Sequence, residues 1–373
     1  MKSKIRSILF AIIILGLSVI NVTRPTKVFS SKENRYLQQF PELTLSNIFS
    51  GDFSTDFEKY ASDQFIGRDN WIGLKTLSQL AMLKKDNGRV YFGKDDYLFD
   101  VESGLDEKQF NENIQNLDKF VGSIGEKIKI TALLVPTKTG VLEDKLPAYA
   151  PVIDEENLVA QIKEKLNKDI IVTDLINTFK EHANEDIYYK TDHHWTSKGA
   201  FYAYEKYIES LGGSPLIERD FIIDLVSDEF YGTSYRKANF YLGKPDTIHK
   251  YTGKNPIDYE IHFNSSPESG DLYDNSFLYK TDKYSYFLGG DKALVEINTS
   301  IKNGKTIVVL KDSFGNSMIP FLIHNYEKII MLDTRYYNGS ISDFVDENSV
   351  DEVLFLYNIQ TFVSEKSFLK FKI

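Results

Sequence analysis

Asp192, His194 and Ser313 are the residues of this 373-residue chain whose types could do covalent chemistry together. A serine hydroxyl is a poor nucleophile near neutral pH unless a base takes its proton. An imidazole backed by a carboxylate is a base of that kind. Asp192 and His194 stand two apart in Asp192-His193-His194-Trp195. In an extended segment they share a face and His193 points the other way. The carboxylate then fixes the imidazole tautomer and stabilises its cation. Ser313 follows the apolar run Ile307-Val308-Val309-Leu310 and precedes Gly315 and a helical stretch. It is expected at a strand-to-helix turn, with a helix N-terminus beside it to face a developing oxyanion.

Two further strand ends point to the same place. Leu354-Phe355-Leu356-Tyr357 delivers Asn358, whose amide could donate to an oxyanion, a contact worth about 3 kcal/mol. Asp333-Thr334 delivers Arg335, which faces the substrate or the oxyanion or simply pairs with Asp333. Trp195 could wall the site, and Thr196 or Ser197 could cap the helix from Lys198. Each residue alone also suits a plain structural use. Paired histidines can close a strand, and a serine at such a turn is commonly an N-cap. Of the G-x-S-x-G elbow only Gly315 is present at the right spacing.

Two other chemistries compete. Asp192, His193 and His194 could ligate a metal in a metal-dependent hydrolase, DHH being also a phosphoesterase motif. No convincing set of further metal-binding aspartates accompanies it. Alternatively the chain is a non-catalytic glycan-binding or assembly protein, for which the Ser-His-Asp set would be superfluous.

The elements that must position these residues alternate. Ile128 to Val135 reads as a buried strand, Asn157 to Leu166 as a helix, Asp169 to Val172 as a strand and Leu175 to His182 as a helix. Lys198 to Leu211 is a helix ending at Gly212-Gly213. Strands at 306–310, 329–332 and 353–357 and a helix at 316–325 follow. This order predicts an α/β fold with a parallel sheet covered on both faces. Gly88 to Phe99 reads as a hairpin and Glu107 to Ile124 as a helix. Leu45 to Lys84 shows one helical period, with Trp71, Leu74, Leu77 and Leu80 on an amphipathic face. Residues 215–303 read as an irregular, β-containing insertion rich in rings, among them Tyr231, Tyr235, Tyr241, Tyr273, Tyr284 and Phe287. These suit sugar stacking or the packing of a loop-rich subdomain.

Lys2, Lys4 and Arg6 precede an apolar run from Ile8 to Val22. That is an export signal or an uncleaved anchor. The run is short for a full span of about 20 residues. Gly16-Leu17-Ser18 is a weak cleavage site, and the reading leans to the anchor. The expected layout is a signal or anchor over 1–25, a linker over 26–45 and one domain over 46–373. A net charge of −10 argues against a general nucleic-acid binder. The absence of cysteine excludes disulfides and thiolate sites.

Asp192-His193-His194-Trp195 resembles the signature of the bacterial DHHW protein family. The likeness extends through Glu33-Asn34-Arg35, Gly93-Lys94-Asp95, Lys311-Asp312-Ser313 and Leu356-Tyr357-Asn358. That family is similar to the SGNH-hydrolase-like alginate O-acetyltransferases, whose D-x-H block precedes D-S-F in circularly permuted order. The resemblance implies an SGNH-hydrolase-like three-layer sandwich with a central parallel sheet. It assigns Asp192, His194 and Ser313 to the triad and Asn358 to the third-block asparagine. It implies an exported O-acyltransferase or esterase with a polysaccharide acceptor, no cofactor, and room for an acyl donor supplied by a membrane acyltransferase partner. Two departures stand out. Lys311 occupies the usual glycine position of the serine block, and no second-block glycine is found, Gly339 fitting poorly.

Overall fold

The computed structural model describes residues 2–30, 35–102, 104–124, 127–240, 242–263 and 269–371. Glu33, Asn34 and Tyr241, singled out above, lie outside the described residues. The chain divides into two compact units, Met1–Asn87 with Tyr235–Leu242, and Gly88–Ser234 with Gly243–Ile373.

The first unit begins with α1 (Lys2–Thr23), of which Lys4–Thr23 is long and apolar enough to cross a membrane. A short ladder of β1 (Phe29–Ser30) and β2 (Arg35–Tyr36) follows. The helical period over 45–84 is realised as three helices, α2 (Leu45–Ser50), α3 (Asp52–Asp63) and α4 (Arg68–Ala81). Gly51 and Gly67 break it, because both hold left-handed φ of 83° and 63°, which no continuous right-handed helix accommodates. The amphipathic face of α4 is also turned outward. Thr76 is the residue it buries, while Trp71, Leu74 and Leu77 are exposed.

In the second unit, β3 (Val90–Phe92) and β4 (Leu98–Asp100) form the expected hairpin. Then come α5 (Glu107–Ser123), β5 (Lys129–Val135), α6 (Lys138–Val141), α7 (Glu155–Lys165), β6 (Ile170–Asp174), α8 (Ile176–Glu181) and α9 (Ser197–Ser210). Asp106 caps α5 and Thr196 caps α9, each accepting from backbone N–H groups of the first turn. The order continues with β7 (Phe221–Phe230), α10 (Thr233–Ala238), β8 (Asp246–Gly253), β9 (Tyr259–Phe263) and β10 (Leu294–Thr299). It closes with β11 (Thr306–Lys311), α11 (Gly315–Leu322), β12 (Lys328–Asp333), α12 (Ile341–Glu347), β13 (Glu352–Asn358) and α13 (Ile359–Ser364).

The central sheet has seven strands in the order β6-β5-β13-β11-β12-β10-β9. The first five are parallel, and β10 joins both β12 and β9 by antiparallel pairing. Along β11, Ile307 and Val309 face one core with Phe201 of α9 and Met318 of α11. Val308 and Leu310 face the other with Phe120 of α5 and Ile162 of α7. A strand buried on both faces needs an unbroken apolar run, and the sequence supplies one. The result is the three-layer α/β sandwich. The 215–303 stretch contributes strands to the central sheet. Its strands β9 and β10 extend the sheet, with Val295 and Ile297 in one core and Leu294 in the other, and β7 and β8 form a separate hairpin.

In chain order β11, β12 and β13 follow one another, yet β13 and β12 flank β11 on opposite sides. Such a reversal opens a crevice at the carboxyl end of the middle strand. Ser313 follows β11 there, Arg335 follows β12 and Asn358 ends β13.

Candidate active site

The stretch bearing Asp192 is not an extended strand. It is a bent loop closed by an isolated bridge between Tyr188 and Trp195. Asp192 Oδ1 accepts from the His194 backbone N–H at 3.0 Å, a local turn that aspartate side chains favour. Distant residues hold the loop. Asp246 accepts from Lys190 N, Thr191 N and Thr191 Oγ1. The buried Lys138 donates its ammonium hydrogens to the carbonyls of Leu98 at 2.6 Å, Tyr189 at 3.0 Å and Asp192 at 2.6 Å. Backbone groups that a buried bend would leave unpaired are thereby satisfied.

This loop brings three of the expected residues into one line. His194 Nδ1 lies 2.5 Å from Asp192 Oδ1, and His194 Nε2 lies 2.7 Å from Ser313 Oγ. Asp192 Oδ2 accepts from Thr233 N at 2.7 Å. Burial would raise the Asp192 pKa. The neighbouring His194 and His193 rings and the hydrogen bonds from His194 and Thr233 N outweigh it and hold the carboxyl well below its usual value. An ionised carboxylate only accepts, so Nδ1 carries the hydrogen and Nε2 presents its lone pair to the serine hydroxyl.

Three residues that the sequence did not single out for these roles complete the setting. Tyr284 stacks on His194 with ring centroids 3.7 Å apart and planes 5° apart. Its hydroxyl donates to the Ser313 carbonyl at 3.2 Å and lies 3.1 Å from Ser317 Oγ. Of the two uses open to this ring, sugar stacking and packing, it serves the second, buried against the imidazole. Gly232 passes so close to Asp192 that a Cβ would lie 2.2 Å from the Asp192 Cβ. Asp312 is buried and accepts from Phe314 N at 3.0 Å and Asn358 N at 2.9 Å. It ties the serine turn to the end of β13.

Two expectations are corrected. Trp195 does not wall the site. It is fully buried and donates to Phe314 O at 3.1 Å and Ser317 Oγ at 2.7 Å, bracing the serine turn from behind. His193 does not point away. The bend turns its ring to 3.8 Å from the His194 ring, and it lines the same cavity as Ser313. His193 Nδ1 lies 2.5 Å from Thr233 Oγ1.

That cavity encloses about 280 Å³, and Ser313, Arg335 and Asn358 line it together with Glu102, Thr137 and His193. Asn358 Nδ2 donates one hydrogen to Val135 O at 3.2 Å, and its Oδ1 caps α13. Arg335 pairs with Asp333, its Nε and Nη2 bonding that carboxylate at 2.9 and 2.6 Å, and it also lines the cavity. Nη2 also bonds Asp291 at 2.9 Å. Lys311, at the departure from the glycine pattern, is buried and donates to Asp291 at 2.8 Å. Asp291 thus bridges Lys311 and Arg335. Burial would raise its pKa, but these two cations outweigh it and hold the carboxyl far below its usual range.

Asp192, His193 and His194 could bring ligand atoms within 4.8 Å of one another. Both ring nitrogens of His194 already meet other partners, Asp192 and Ser313. A metal on His194 would have to break one of those contacts.

A sequence model of the family described as DHHW protein matches residues 86–332. No curated protein matches the chain. Among solved structures, a DHHW family protein from Eubacterium siraeum DSM 15702 is 26% identical. It covers 78% of this chain and 96% of its own, at a TM-score of 0.66. Bacillus cereus PatB1, solved with a sulfonyl adduct, is 21% identical over 76% of this chain and 97% of its own, at a TM-score of 0.65. The O-acetyltransferase domain of Pseudomonas putida AlgJ is 14% identical over 74% of this chain and 92% of its own, at a TM-score of 0.48.

Proposed function

The chain belongs to the DHHW protein family, and we propose that it is an exported, membrane-anchored serine O-acyltransferase acting on a cell-surface polysaccharide. The observation that carries this reading is the continuous hydrogen-bond line from Ser313 through His194 to Asp192. The motif order that resembles the alginate O-acetyltransferases supports an acetyl group and a glycan acceptor. The apolar α1 supports the anchor.

In the first half-reaction Ser313 Oγ attacks the carbonyl carbon of the donor ester while His194 Nε2 takes its proton. Asp192 stabilises the imidazolium. Collapse breaks the bond to the donor oxygen, which leaves with the proton from His194, and the acyl group stays on Ser313. In the second half-reaction an acceptor hydroxyl gives its proton to His194 and attacks the acyl-serine; the acyl–Oγ bond breaks, and Ser313 Oγ leaves with the proton from His194. Water in place of the acceptor makes the same site an esterase. Three donors suit the oxyanion. The Ser313 N–H and Arg335 Nη1 make no hydrogen bond to the described residues, and Asn358 Nδ2 has a second hydrogen to give. The bonds to Asp333 and Asp291 fix Arg335 in advance, which is how electrostatic stabilisation avoids reorganisation at the moment of reaction.

The test is turnover of 4-nitrophenyl acetate by the purified full chain, with an oligosaccharide acceptor added to detect transfer by mass spectrometry. Ser313→Ala should abolish release while the fold, followed by circular dichroism, is retained. An arylsulfonyl fluoride should label Ser313. Full turnover by the alanine variant would overturn the reading. Loss of activity on chelation, restored by metal, would favour the metal-dependent alternative.

A further inference from the structure

α4 carries a stripe that the first unit leaves uncovered. At about 100° per residue, Trp71, Leu74, Leu77 and Ala81 fall on one side of the helix. Thr76 falls on the opposite side, where it is buried and donates to Ala238 O at 3.4 Å. Trp71, Leu74 and Leu77 are 52%, 51% and 45% exposed. An amphipathic helix with its apolar side outward has lost the usual reason for that side, and something else must cover it.

The start of α4 is tied to the exit of α1. Asn21, in the last turn of α1, accepts from Ile66 N at 2.8 Å, and the Trp71 indole donates to Ile66 O at 3.1 Å. Gln64 bonds both the N–H and the carbonyl of Lys27, at 2.9 Å each. The end of α1, the basic residues Arg24 and Lys27, and the start of α4 also wall one cavity of about 290 Å³. A helix bound this closely to the exit of a membrane helix begins at the level of the headgroups. Tryptophan at that depth, with lysine and arginine beside it, is the side-chain distribution of a bilayer interface. Lys75 flanks the stripe and is itself exposed.

We infer that α4 lies in the interfacial layer of the bilayer that α1 enters, with Trp71, Leu74 and Leu77 inserted among the acyl chains. This rests on the anchor reading of α1. The occupant of the stripe is the lipid surface rather than a second copy of the chain.

The chain has two tryptophans, and the other, Trp195, is fully buried. Tryptophan fluorescence of the full chain, reconstituted in phosphatidylcholine–phosphatidylglycerol vesicles, therefore reports on Trp71. Acyl chains brominated near the headgroup should quench up to half of the emission. Chains brominated near the methyl end should quench less. Trp71→Phe should abolish the quenching, and Leu74→Glu with Leu77→Glu should reduce it severalfold while the protein still floats with the vesicles. Flotation without quenching would overturn the interfacial helix and leave the anchor standing. Failure to float would overturn the anchor and this inference with it. Unquenched Trp71 together with dimers in sedimentation would assign the stripe to a second copy.

Discussion

At the residue scale, the two histidines of the loop do different work. His194 sits between a carboxylate and a hydroxyl, whereas His193 contacts Thr233 and the cavity. His194→Ala should lower turnover of a small activated ester on the order of a thousandfold or more. His193→Ala should leave that turnover within about tenfold and raise KM for a bulky acceptor, because its ring walls the cavity and the proposed base is His194. Steady-state kinetics on both substrates separate the two. Equal loss from either variant in folded protein would return the metal reading. Asp192 gives a second expectation. Its folded pKa lies well below the ordinary 3.8, so the folded state binds fewer protons than the unfolded one between those values. Its contribution to stability is present above about pH 3.8 and lost as pH falls below. Asp192→Asn should therefore be less stable than the native chain at neutral pH, with the gap closing in acid, as denaturant midpoints would show. Turnover should fall about ten-thousandfold.

At the element scale, the turn between β5 and α6 forms the cavity wall that carries Thr137, and a buried acid fixes it. Glu155 accepts from Thr137 N at 3.0 Å and from Thr137 Oγ1 at 2.8 Å. Burial nevertheless pushes its pKa up to about 8, against those hydrogen bonds. Between 4.5 and about 8 the folded state then binds the extra proton, so this group stabilises fully at low pH and its contribution is lost as pH rises through about 8. Glu155→Gln mimics the protonated acid and should flatten the alkaline decline in stability, a difference on the order of a few kcal/mol between pH 5 and 9. Thermal unfolding of both proteins across that range measures it. An unchanged slope would show that Glu155 is ionised in the fold. The strands around this wall were legible in the sequence, because β5, β11 and β13 are apolar on both faces and admit few other readings. The Asp192 loop was not. Its local pattern suits a strand, and the groups that bend it, Lys138 and Asp246, are more than fifty residues away in sequence. Tyr284 was visible only as one ring among many, since nothing local marks which of them lies on an imidazole. Trp195 was misplaced for a related reason: its partners, Phe314 and Ser317, belong to the serine turn.

At the scale of the whole molecule, every residue placed in the site belongs to the second unit. The charges that fix Arg335 come from there too, Asp333 from β12 and Asp291 from the loop before β10, and both carboxylates also pair with Lys311 of β11. A lysine buried at the glycine position would be costly alone, but two carboxylates within 3.4 Å compensate it. The departure from the family pattern thus carries its own counter-charge. The first unit supplies α1 and the helices that follow it, and no side chain assigned to the chemistry. A chain lacking residues 1–23 should therefore lose flotation with vesicles yet keep kcat/KM for 4-nitrophenyl acetate within about twofold of the full chain. On the proposed function, acylation of a membrane-presented glycan should fall much further in the same variant, because an anchor would raise the local concentration of the chain at its acceptor. Parallel assays on the soluble ester and on vesicle-bound acceptor distinguish these effects. A comparable loss on both substrates in a well-folded variant would mean that the first unit takes part in the chemistry and does not merely hold the enzyme at its surface.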